Sequence, residues 1–243
     1  MQIGNGQFFL GDCLDVMRDL PDGSVDMILC DLPYGTTQNK WDSVIPFEPL
    51  WEQYWRVCKP NAAVVLTAQA PFDKLLGCSQ IEHLKYEWVW EKSKATGHLN
   101  AKKQPMKAHE NVLVFYRQQC LYNPQKTEGA PYKPNGGGSK LDNYGDFAAI
   151  REGSADGLRY PRSILQFAHV AKPDHPTQKP VPLFEYFIKT YTDSGMTVLD
   201  NCAGSGTTAV AAERTGRKWI CIEKQPEYYY PAVARVISEV SGQ

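Results

Sequence analysis

The sequence lacks the features that mark several common classes of protein. None of its apolar runs approaches the roughly 20 residues that a membrane-spanning helix needs. Its seven cysteines are scattered and form no C-x-x-C pair, which argues against a zinc ribbon and against a disulfide framework. The first residues carry no charged segment followed by an apolar stretch, so we expect no secretory signal. These absences favour a globular protein of the reducing cytoplasm, without a membrane partner and without a metal site.

Basic and acidic side chains are nearly equal in number over the whole chain, but positive charge is concentrated in its middle. The formal net charge of the 243 residues is −1. Residues 85–180 carry 15 basic and 9 acidic side chains, whereas the rest of the chain carries 11 and 18. A basic middle on an acidic frame suggests one face that binds a polyanion.

Short apolar runs alternate with helical patterns along most of the chain. The runs predict seven buried strands, at 7–10, 25–30, 62–67, 88–90, 112–116, 197–199 and 219–222. Helical spacing of apolar residues predicts helices at 47–58, 72–78, 181–191, 207–215 and 227–240. This alternation indicates βαβ units, so we expect an α/β fold with a mainly parallel, seven-stranded sheet and helices on both faces. Residues 118–172 are rich in glycine, proline and tyrosine without a sustained period, which predicts a loop-rich insertion.

A glycine-containing turn follows the predicted strand at 197–199. Residues 200–208 read Asp-Asn-Cys-Ala-Gly-Ser-Gly-Thr-Thr and lead into a predicted helix. Glycines at a strand-to-helix turn let the backbone approach a ligand, and the helix start adds unpaired N–H groups. The next predicted strand ends in Glu223, an acid that can accept both hydroxyls of a ribose. The spacing is that of a Rossmann-like nucleoside site, although a Gly-x-Gly turn alone is weak evidence.

A second motif follows the predicted strand at 25–30. It reads Asp31-Leu32-Pro33-Tyr34 and combines a carboxylate, a bend fixed by proline and an aromatic ring. The exocyclic amine of a nucleobase offers two N–H donors and a flat face. Asp31 can accept one N–H, the carbonyl of Leu32 can accept the other, and Tyr34 can stack on the ring. Taken alone, the motif is also compatible with an ordinary Asp-x-Pro turn.

Together these motifs resemble those of the amino-group DNA methyltransferases, which methylate adenine N6 or cytosine N4 with S-adenosylmethionine. Residues 31–34 are similar to the family's Asp-Pro-Pro-Tyr, and residues 204–208 keep its Gly-Ser-Gly-Thr-Thr. The catalytic motif precedes the cofactor motif, a circularly permuted order that resembles the β group. Further matches are His-Pro-Thr-Gln-Lys-Pro at 175–180, Gly-Asp-Cys at 11–13 and the strand at 109–115. The resemblance covers nearly the whole chain except the insertion.

The resemblance implies a class I methyltransferase fold that methylates adenine N6 in DNA. Residues 1–117 would be the catalytic half of the core, 118–172 a target-recognition insertion and 173–243 the cofactor half. Asp31, Leu32, Pro33 and Tyr34 would form the catalytic pocket for the target base. The remaining residues implied to bind S-adenosylmethionine, together with Asp31, are Asp12, Cys13, Gln178, Lys179, Asp200, Asn201, Cys202, Gly204, Ser205, Gly206, Thr207 and Glu223.

The resemblance also implies individual roles in cofactor binding. Asp12 would bind the adenine of the cofactor and Glu223 its ribose. Gln178 and Lys179 would lie near the cofactor carboxylate. Asp200 and the glycine turn would shape its methionine end.

Two residues depart from the family pattern. Leu32 replaces the first proline of Asp-Pro-Pro-Tyr; it keeps the needed carbonyl but adds an N–H that requires a partner. Cys202 stands where the family often has phenylalanine, so packing against the cofactor has to come from elsewhere. Cys202 itself is interpreted as a small buried hydrophobe rather than a nucleophile.

The basic middle of the chain gives the candidate DNA contacts. A cluster of lysines that includes Lys92 surrounds His98 and His109, and three arginines lie in the insertion. We expect double-stranded DNA as the partner, with basic side chains on phosphates and on guanine edges. The predicted DNA-binding residues are Lys94, Lys102, Lys103, Lys107, Arg151, Arg159 and Arg162. The sequence leaves open whether the protein forms a homodimer and whether a cognate restriction endonuclease exists.

Several alternatives remain at this stage. Cytosine N4 is the nearest one, although cytosine enzymes of the family more often carry serine at the position of Asp31. RNA or a protein glutamine would be the substrate in related families, and a catalytically silent DNA-binding subunit is a further alternative. A nicotinamide dehydrogenase is disfavoured by the missing third glycine and by the Asp-Leu-Pro-Tyr motif.

Overall fold

In the part of the chain that the structure describes, nine strands form one sheet in the order β1-β2-β9-β8-β3-β4-β6-β5-β7. The computed structural model describes residues 1–36, 39, 42–133, 154–170 and 178–242. The strands are β1 (Gln2–Ile3), β2 (Gly6–Leu10), β3 (Val25–Asp31), β4 (Cys58–Ala68), β5 (Leu84–Thr96), β6 (Lys107–Phe115), β7 (Ile164–Phe167), β8 (Thr197–Asp200) and β9 (Lys218–Glu223). The helices are α1 (Cys13–Arg18), α2 (Phe47–Val57), α3 (Phe72–Ser79), α4 (Val181–Tyr191), α5 (Thr207–Arg214) and α6 (Pro226–Ser241).

The central strand β3 is apolar without interruption because both of its faces are covered. Met27 and Leu29 pack into the apolar cluster on one face, and Ile28 and Cys30 into the cluster on the other. Helices α4, α5 and α6 contribute to the first cluster, and α1, α2 and α3 contribute to the second. A parallel strand buried on both faces therefore reads as a continuous apolar run. The predicted α/β fold, Rossmann-like with helices on both faces, is confirmed.

The direction of the strands decides where functional groups collect. Strands β2, β9, β8, β3 and β4 are mutually parallel, so their carboxyl ends meet at one edge of the sheet. Strand β6 is antiparallel to β4, so its beginning lies at this same edge. Strand β5 is antiparallel to β6 and brings its end there. We call this edge the carboxyl edge, and it is where open α/β sheets bind ligands.

The prediction of seven strands was wrong, because the sheet has nine. Strand β1 has only two residues and pairs antiparallel with β2, too short a run to show a period. Strand β7 lies inside the range 118–172, which was interpreted as loop-rich, and pairs parallel with β5. Its residues, Ile-Leu-Gln-Phe, are mostly apolar, but four residues are too short a run to show a period. Helix α1 was also missed, since it has only six residues.

Residues Pro124–Arg162 form a compact unit of their own, shorter than the predicted insertion. Two isolated bridges, between Thr127 and Arg159 and between Tyr132 and Ser154, hold its described residues together. The other unit comprises Met1–Asn123 and Ser163–Gln243. Within the described part of the chain, no helix combines the length and apolarity needed to cross a membrane.

A buried carboxylate ties the start of the chain to α5. The Oε1 atom of Glu213 accepts hydrogen bonds from the Asn5 backbone N–H at 2.6 Å and from the Trp219 indole N–H at 2.7 Å. Its Oε2 atom accepts from the Asn5 side-chain amide at 2.9 Å. Asn5 precedes β2, so this contact lies at the edge of the sheet opposite the carboxyl edge.

Replacing Glu213 should destabilise the fold without touching the carboxyl edge. Glu213→Ala leaves the buried Trp219 N–H and the Asn5 donors unpaired, so we expect the free energy of unfolding to fall by roughly 2–4 kcal/mol. Glu213→Gln keeps the shape and one acceptor, and should destabilise the fold less. Urea unfolding of the three proteins measures this order, and equal stability of the alanine variant and the parent protein would contradict it.

Candidate functional site

A cavity of about 870 Å³ runs along the carboxyl edge of the sheet. Residues at or just beyond the ends of β2, β9, β8 and β3 line it: Asp12, Glu223, Asp200 and Asp31. The far side is lined by residues of β5 and β6, including Trp90 and Glu110. The sheet topology therefore brings the predicted catalytic motif and the predicted cofactor motif, far apart in sequence, into one cavity.

Asp31 is held by hydrogen bonds on both of its carboxylate oxygens. Oδ1 accepts from the Tyr34 hydroxyl at 2.6 Å and from the hydroxyl of Thr67, its neighbour across the β3–β4 pair. Oδ2 accepts from Nζ of Lys179 at 2.5 Å. Three partners from three segments of the chain therefore fix the orientation of this carboxylate.

The ring of Tyr34 is fixed as firmly as its hydroxyl. It stacks on Phe72 of α3, with the ring centroids 5.1 Å apart and the planes at 25°. Next to it, the backbone N–H groups of Gly35 and Thr36 donate to the carboxylate of Asp42, at 2.8 and 2.9 Å. Because these contacts order the segment after Pro33, the site presents an aromatic face beside a carboxylate.

The glycine turn after β8 has the geometry that its sequence predicts. Gly204 and Gly206 adopt φ angles of +49° and +74°, in the left-handed region that favours glycine. Gly206 caps α5, and the first N–H groups of α5 have no partner within the helix. Ser205 and Thr207 also line the cavity, and their hydroxyl groups lie 3.2 Å apart.

Asp200 ends β8 and is 2% exposed. Its Oδ1 atom accepts from the backbone N–H of Cys202 at 3.0 Å, and its Oδ2 atom from the Thr208 hydroxyl at 2.5 Å. Burial raises the pKa of Asp200 to about 6, although these hydrogen bonds oppose the shift. Asp200 therefore shapes the turn from inside rather than offering a free carboxylate to a ligand.

Glu223 ends β9 and braces the same turn. Oε2 accepts from the Gly204 N–H at 2.9 Å and Oε1 accepts from the Gln225 N–H at 2.8 Å. Burial raises its pKa, which these two hydrogen bonds partly offset. A carboxylate has about four acceptor positions, so Glu223 keeps acceptor capacity beyond its backbone hydrogen bonds.

Asp12 serves as the N-cap of α1. Its Oδ1 atom accepts from the Leu14 N–H at 2.9 Å, and its Oδ2 atom lies 3.1 Å from Nζ of Lys224. Burial works against its ionisation, but the hydrogen bonds from Lys224 and Leu14 hold its pKa below the usual value. It also lines the cavity, beside Glu223.

Cys202 packs with two other thiols beneath the cavity. It lies against the apolar cluster that contains Cys13 and Cys30, as its interpretation as a small hydrophobe predicts. A hydrogen bond between the Cys13 and Cys202 thiols lowers the pKa of Cys13, whereas burial raises the pKa of Cys30 to about 12. Asn201 Oδ1 accepts from the Tyr54 hydroxyl of α2 at 2.5 Å.

Lys179 is buried and is paired with two carboxylates. It is 6% exposed, and its ammonium contacts Asp31 and, at 3.3 Å, Oε2 of Glu110. Burial favours the neutral amine, but the two carboxylates hold the pKa of Lys179 above its usual value. Lys179 also lines the cavity, and its place near the cofactor carboxylate stays a prediction. Gln178 lines the cavity.

Sequence reasoning missed Glu110 and misinterpreted Lys92. Lys92 Nζ lies 2.5 Å from Oε1 of Glu110, and both side chains are less than 10% exposed. Lys92 is thus a buried partner rather than a free member of the basic stretch. The sequence does contain one indication of this pairing. Glu110 is an acid within the apolar run of β6, and burial of an unpaired carboxylate there would cost free energy.

The predicted DNA-binding residues have different environments. Lys94 is exposed and lines the cavity, and Lys102 and Lys103 are exposed just after a 3₁₀ turn. Lys107 is half-buried and donates to Gln69 at 3.2 Å. Arg162 is exposed at the end of the unit Pro124–Arg162, and Arg151 lies outside the described residues, as do positions 175–177 of the motif at 175–180.

The guanidinium of Arg159 stabilises its own unit. It donates to the carbonyls of Ala130 and Gly157 and lies 4.4 Å from the centroid of the Tyr132 ring. These contacts favour a structural role over the predicted DNA contact.

The cavity has the groups that S-adenosylmethionine requires. Its volume is within the range of about 300–1,000 Å³ typical of small-molecule sites. Glu223 and Asp12 offer acceptors to hydroxyl and amino groups, and the start of α5 offers N–H donors to a carboxylate. Among the described residues, no group of three or more His, Cys, Asp or Glu is arranged to hold a metal ion.

Comparison with known proteins extends these observations. A sequence model of the N6/N4 methyltransferases, described as DNA methylase, matches residues 25–234. The chain is 28% identical over 238 residues to YubD of Escherichia coli K12, which is named as a methylase, covering 92% of this chain and 86% of that protein. It is 27% identical over 243 residues to DNA adenine methyltransferase YhdJ of the same strain, covering 93% and 81%.

Solved structures share the fold. PvuII DNA methyltransferase, titled cytosine-N4-specific, superposes with a TM-score of 0.71 at 16% identity, covering 99% of this chain and 93% of that one. The M1.HpyAVI–SAM complex superposes with a TM-score of 0.67 at 23% identity, covering 95% and 99%. At these identities the similarity concerns the architecture alone.

The raised pKa of Asp200 predicts a specific dependence of stability on pH. The folded-state pKa of about 6 lies above the ordinary value of 3.8, so folding retains a proton that the unfolded chain releases. The free energy of unfolding contributed by Asp200 should fall by up to about 3 kcal/mol as the pH rises from about 4 to 6. Asp200→Asn cannot titrate and should lack this decrease, which urea unfolding at several pH values measures.

The exposed Asp15 of α1 provides the control for this experiment. Asp15→Asn should leave the pH dependence within about 0.5 kcal/mol of the parent protein, as expected for a surface residue. The prediction would be contradicted by a constant difference in the free energy of unfolding between the Asp200→Asn variant and the parent protein from pH 4 to pH 7.

Proposed function

The chain belongs to the N6/N4 DNA methylase family, whose members are S-adenosylmethionine-dependent DNA methyltransferases, and on this premise we propose that it methylates the N6 amino group of adenine in DNA. The observation that carries the proposal is the ordered carboxylate of Asp31 beside Tyr34, in the cavity that also contains the glycine turn. The adenine specificity of the named relative YhdJ also supports it.

Asp31 and the carbonyl of Leu32 would accept the two N–H bonds of the target amine. The lone pair of such an amine is delocalised into the base, which makes the nitrogen a poor nucleophile. Two acceptors in a cavity shielded from water pull the nitrogen toward a tetrahedral geometry and free this lone pair. Pro33 fixes the bend that places both acceptors side by side.

Bound S-adenosylmethionine supplies a methyl group made electrophilic by its sulfonium. Held by the glycine turn and Glu223, the cofactor would give this methyl group to the amine nitrogen that Asp31 and the Leu32 carbonyl hold, and its sulfur would keep the electron pair of the broken carbon–sulfur bond. The nitrogen then returns to neutrality by losing a proton to water. The base has to leave the duplex first, at a cost of about a few kcal/mol, and stacking on Tyr34 offsets part of it.

The cofactor would occupy the other end of the cavity. Glu223 and Asp12 would bind its ribose and adenine, near Cys13. The turn would hold its methionine end through residues Asn201, Cys202, Gly204, Ser205, Gly206 and Thr207, with Asp200 supporting the turn from below. Gln178 would contribute from the segment before α4.

We further propose that residues 118–172, which include the compact unit Pro124–Arg162, recognise the target sequence. Lys94, Lys102 and Lys103 are the exposed cations expected to hold phosphates. The proposal requires neither a second copy of the chain nor a restriction endonuclease, and leaves both open.

The identity of the methylated base is the test of this function. Unmethylated plasmid DNA is incubated with the protein and with S-adenosylmethionine labelled at the methyl group, and the DNA is digested to nucleosides. Label in N6-methyladenine is expected. Label in N4-methylcytosine would contradict the adenine assignment, and label absent from DNA in spite of cofactor binding would contradict the proposal as a whole.

Asp31→Ala provides the matched control. It removes the acceptor for the amine, so methylation should fall by roughly 100-fold or more, the decrease typical when a group that stabilises developing charge is removed. Calorimetry should show that cofactor binding is retained. Full methylation by this variant would show that Asp31 is not the acceptor.

The role of the exposed lysines predicts a change in salt dependence. The combined reversal Lys94→Glu, Lys102→Glu and Lys103→Glu should weaken DNA binding. It should also lower the slope of log Kd against log salt by about 0.9 for each phosphate that these lysines neutralise in the parent protein. The control reverses Lys85, Lys189 and Lys218, which are exposed and lie toward the opposite edge of the sheet. The slopes are measured by fluorescence anisotropy. Equal slopes for the two variants would contradict the proposed role of Lys94, Lys102 and Lys103 in binding DNA.

A further inference from the structure

Four buried charges of alternating sign extend from β5 to the catalytic carboxylate. Lys92 lies 2.5 Å from Glu110, Glu110 lies 3.3 Å from Lys179, and Lys179 lies 2.5 Å from Asp31. The sheet register produces the first contact, because Trp90 pairs with Glu110 and Lys92 is two residues further along the same face. We call these four residues the charge row.

The side chains of the charge row are less exposed than those of the other ion pairs between described residues. Its side chains are between 7% and 20% exposed. In each of the other ion pairs between described residues, at least one side chain is 44% exposed or more. Desolvating charged groups is costly, so buried pairs seldom add net stability. The position of the row, ending at Asp31, indicates a role in the reaction.

The hydrogen-bond acceptor positions of Asp31 show how the charge row affects the binding of a target amine. A carboxylate has about four acceptor positions. Tyr34 and Thr67 occupy both positions on Oδ1, and Lys179 occupies one on Oδ2. The position left for a target amine is therefore on Oδ2, next to the ammonium of Lys179. Whatever fixes this ammonium also decides whether that acceptor stays open.

We propose that Glu110 is a positioning residue for methyl transfer, which acts by holding Lys179 away from the last acceptor position of Asp31. Glu110 is itself oriented from the other side, by Lys92 and by the Gln69 side-chain amide at 3.0 Å. Glu110 also offsets the charge of Lys179 while positive charge develops on the amine nitrogen. The pKa of Glu110 supports an ionised carboxylate, because Lys179 and Lys92 lower it in spite of burial.

Without the charge of Glu110, Lys179 has Asp31 as its remaining anionic partner. Lys179, which already donates to Oδ2, then shifts toward the second acceptor position of this oxygen and competes with the amine. This affects the rate of the bound complex rather than the binding of either substrate, because Glu110 need not contact the cofactor or the DNA. The inference rests on the proposed function, since it assumes that Asp31 accepts the target amine.

Two variants of Glu110 separate charge from shape. Glu110→Gln keeps the shape and removes the charge, whereas Glu110→Asp keeps the charge and is one methylene shorter. With labelled S-adenosylmethionine and unmethylated DNA, Glu110→Gln should lower kcat by roughly 10- to 100-fold, the effect of losing one contact between charged groups. Its KM for DNA and its Kd for the cofactor should change by less than about 3-fold, as expected when binding is not involved. Glu110→Asp should retain the higher kcat of the two.

Glu213→Gln is the matched control, because it makes the same change at a buried carboxylate at the opposite edge of the sheet. It should lower stability but leave kcat near that of the parent protein. Three results would overturn the inference. They are an unchanged kcat for Glu110→Gln, an effect of this variant that is confined to KM or Kd, and a kcat that is higher for Glu110→Gln than for Glu110→Asp. If the parent protein itself fails to methylate adenine in DNA, the proposed function fails instead.

Discussion

A carboxylate that ends a strand covered on both faces, and that is only 20% exposed, takes most of its hydrogen bonds from neighbouring side chains. Asp31 is in this position, and Thr67, Tyr34 and Lys179 supply the donors. Lys179 is buried in turn and needs a second anion, which is Glu110, and Glu110 is paired with Lys92. The surroundings of one carboxylate thus involve residues from five other segments of the chain.

The same sheet edge explains why the chain order of the motifs matters little for the site. Strand β3 comes from the first third of the chain and β8 from the last, yet they are adjacent and parallel. Asp31 and the turn after Asp200 therefore face one cavity although 169 positions separate them. A permuted sequence can build the same pocket because the pocket depends on which strands are neighbours, not on the order in which they are joined.

The parts of the structure that were predictable from sequence are those with local signals. The uninterrupted apolar run of β3 indicates a buried strand, and the helical spacing of apolar residues indicates α4. The glycines at 204 and 206 indicate a turn with left-handed backbone. Strand β7 gives no such signal, because its four residues are too few to show a period. The pairing of Lys92 with Glu110 depends on the register of β5 against β6, and the contact of Lys179 with Asp31 joins positions 148 residues apart. Both depend on tertiary structure, so the sequence offered only a buried-looking acid in β6.

The most direct test of the account is a crystal structure with S-adenosylhomocysteine and a DNA duplex that contains the methylated site. The account predicts a flipped adenine stacked on Tyr34, with N6 about 2.6–3.2 Å from Oδ2 of Asp31 and with Lys179 still between Asp31 and Glu110. An amine bound away from Asp31, or a Lys179 that has left Asp31 for the cofactor carboxylate, would contradict it.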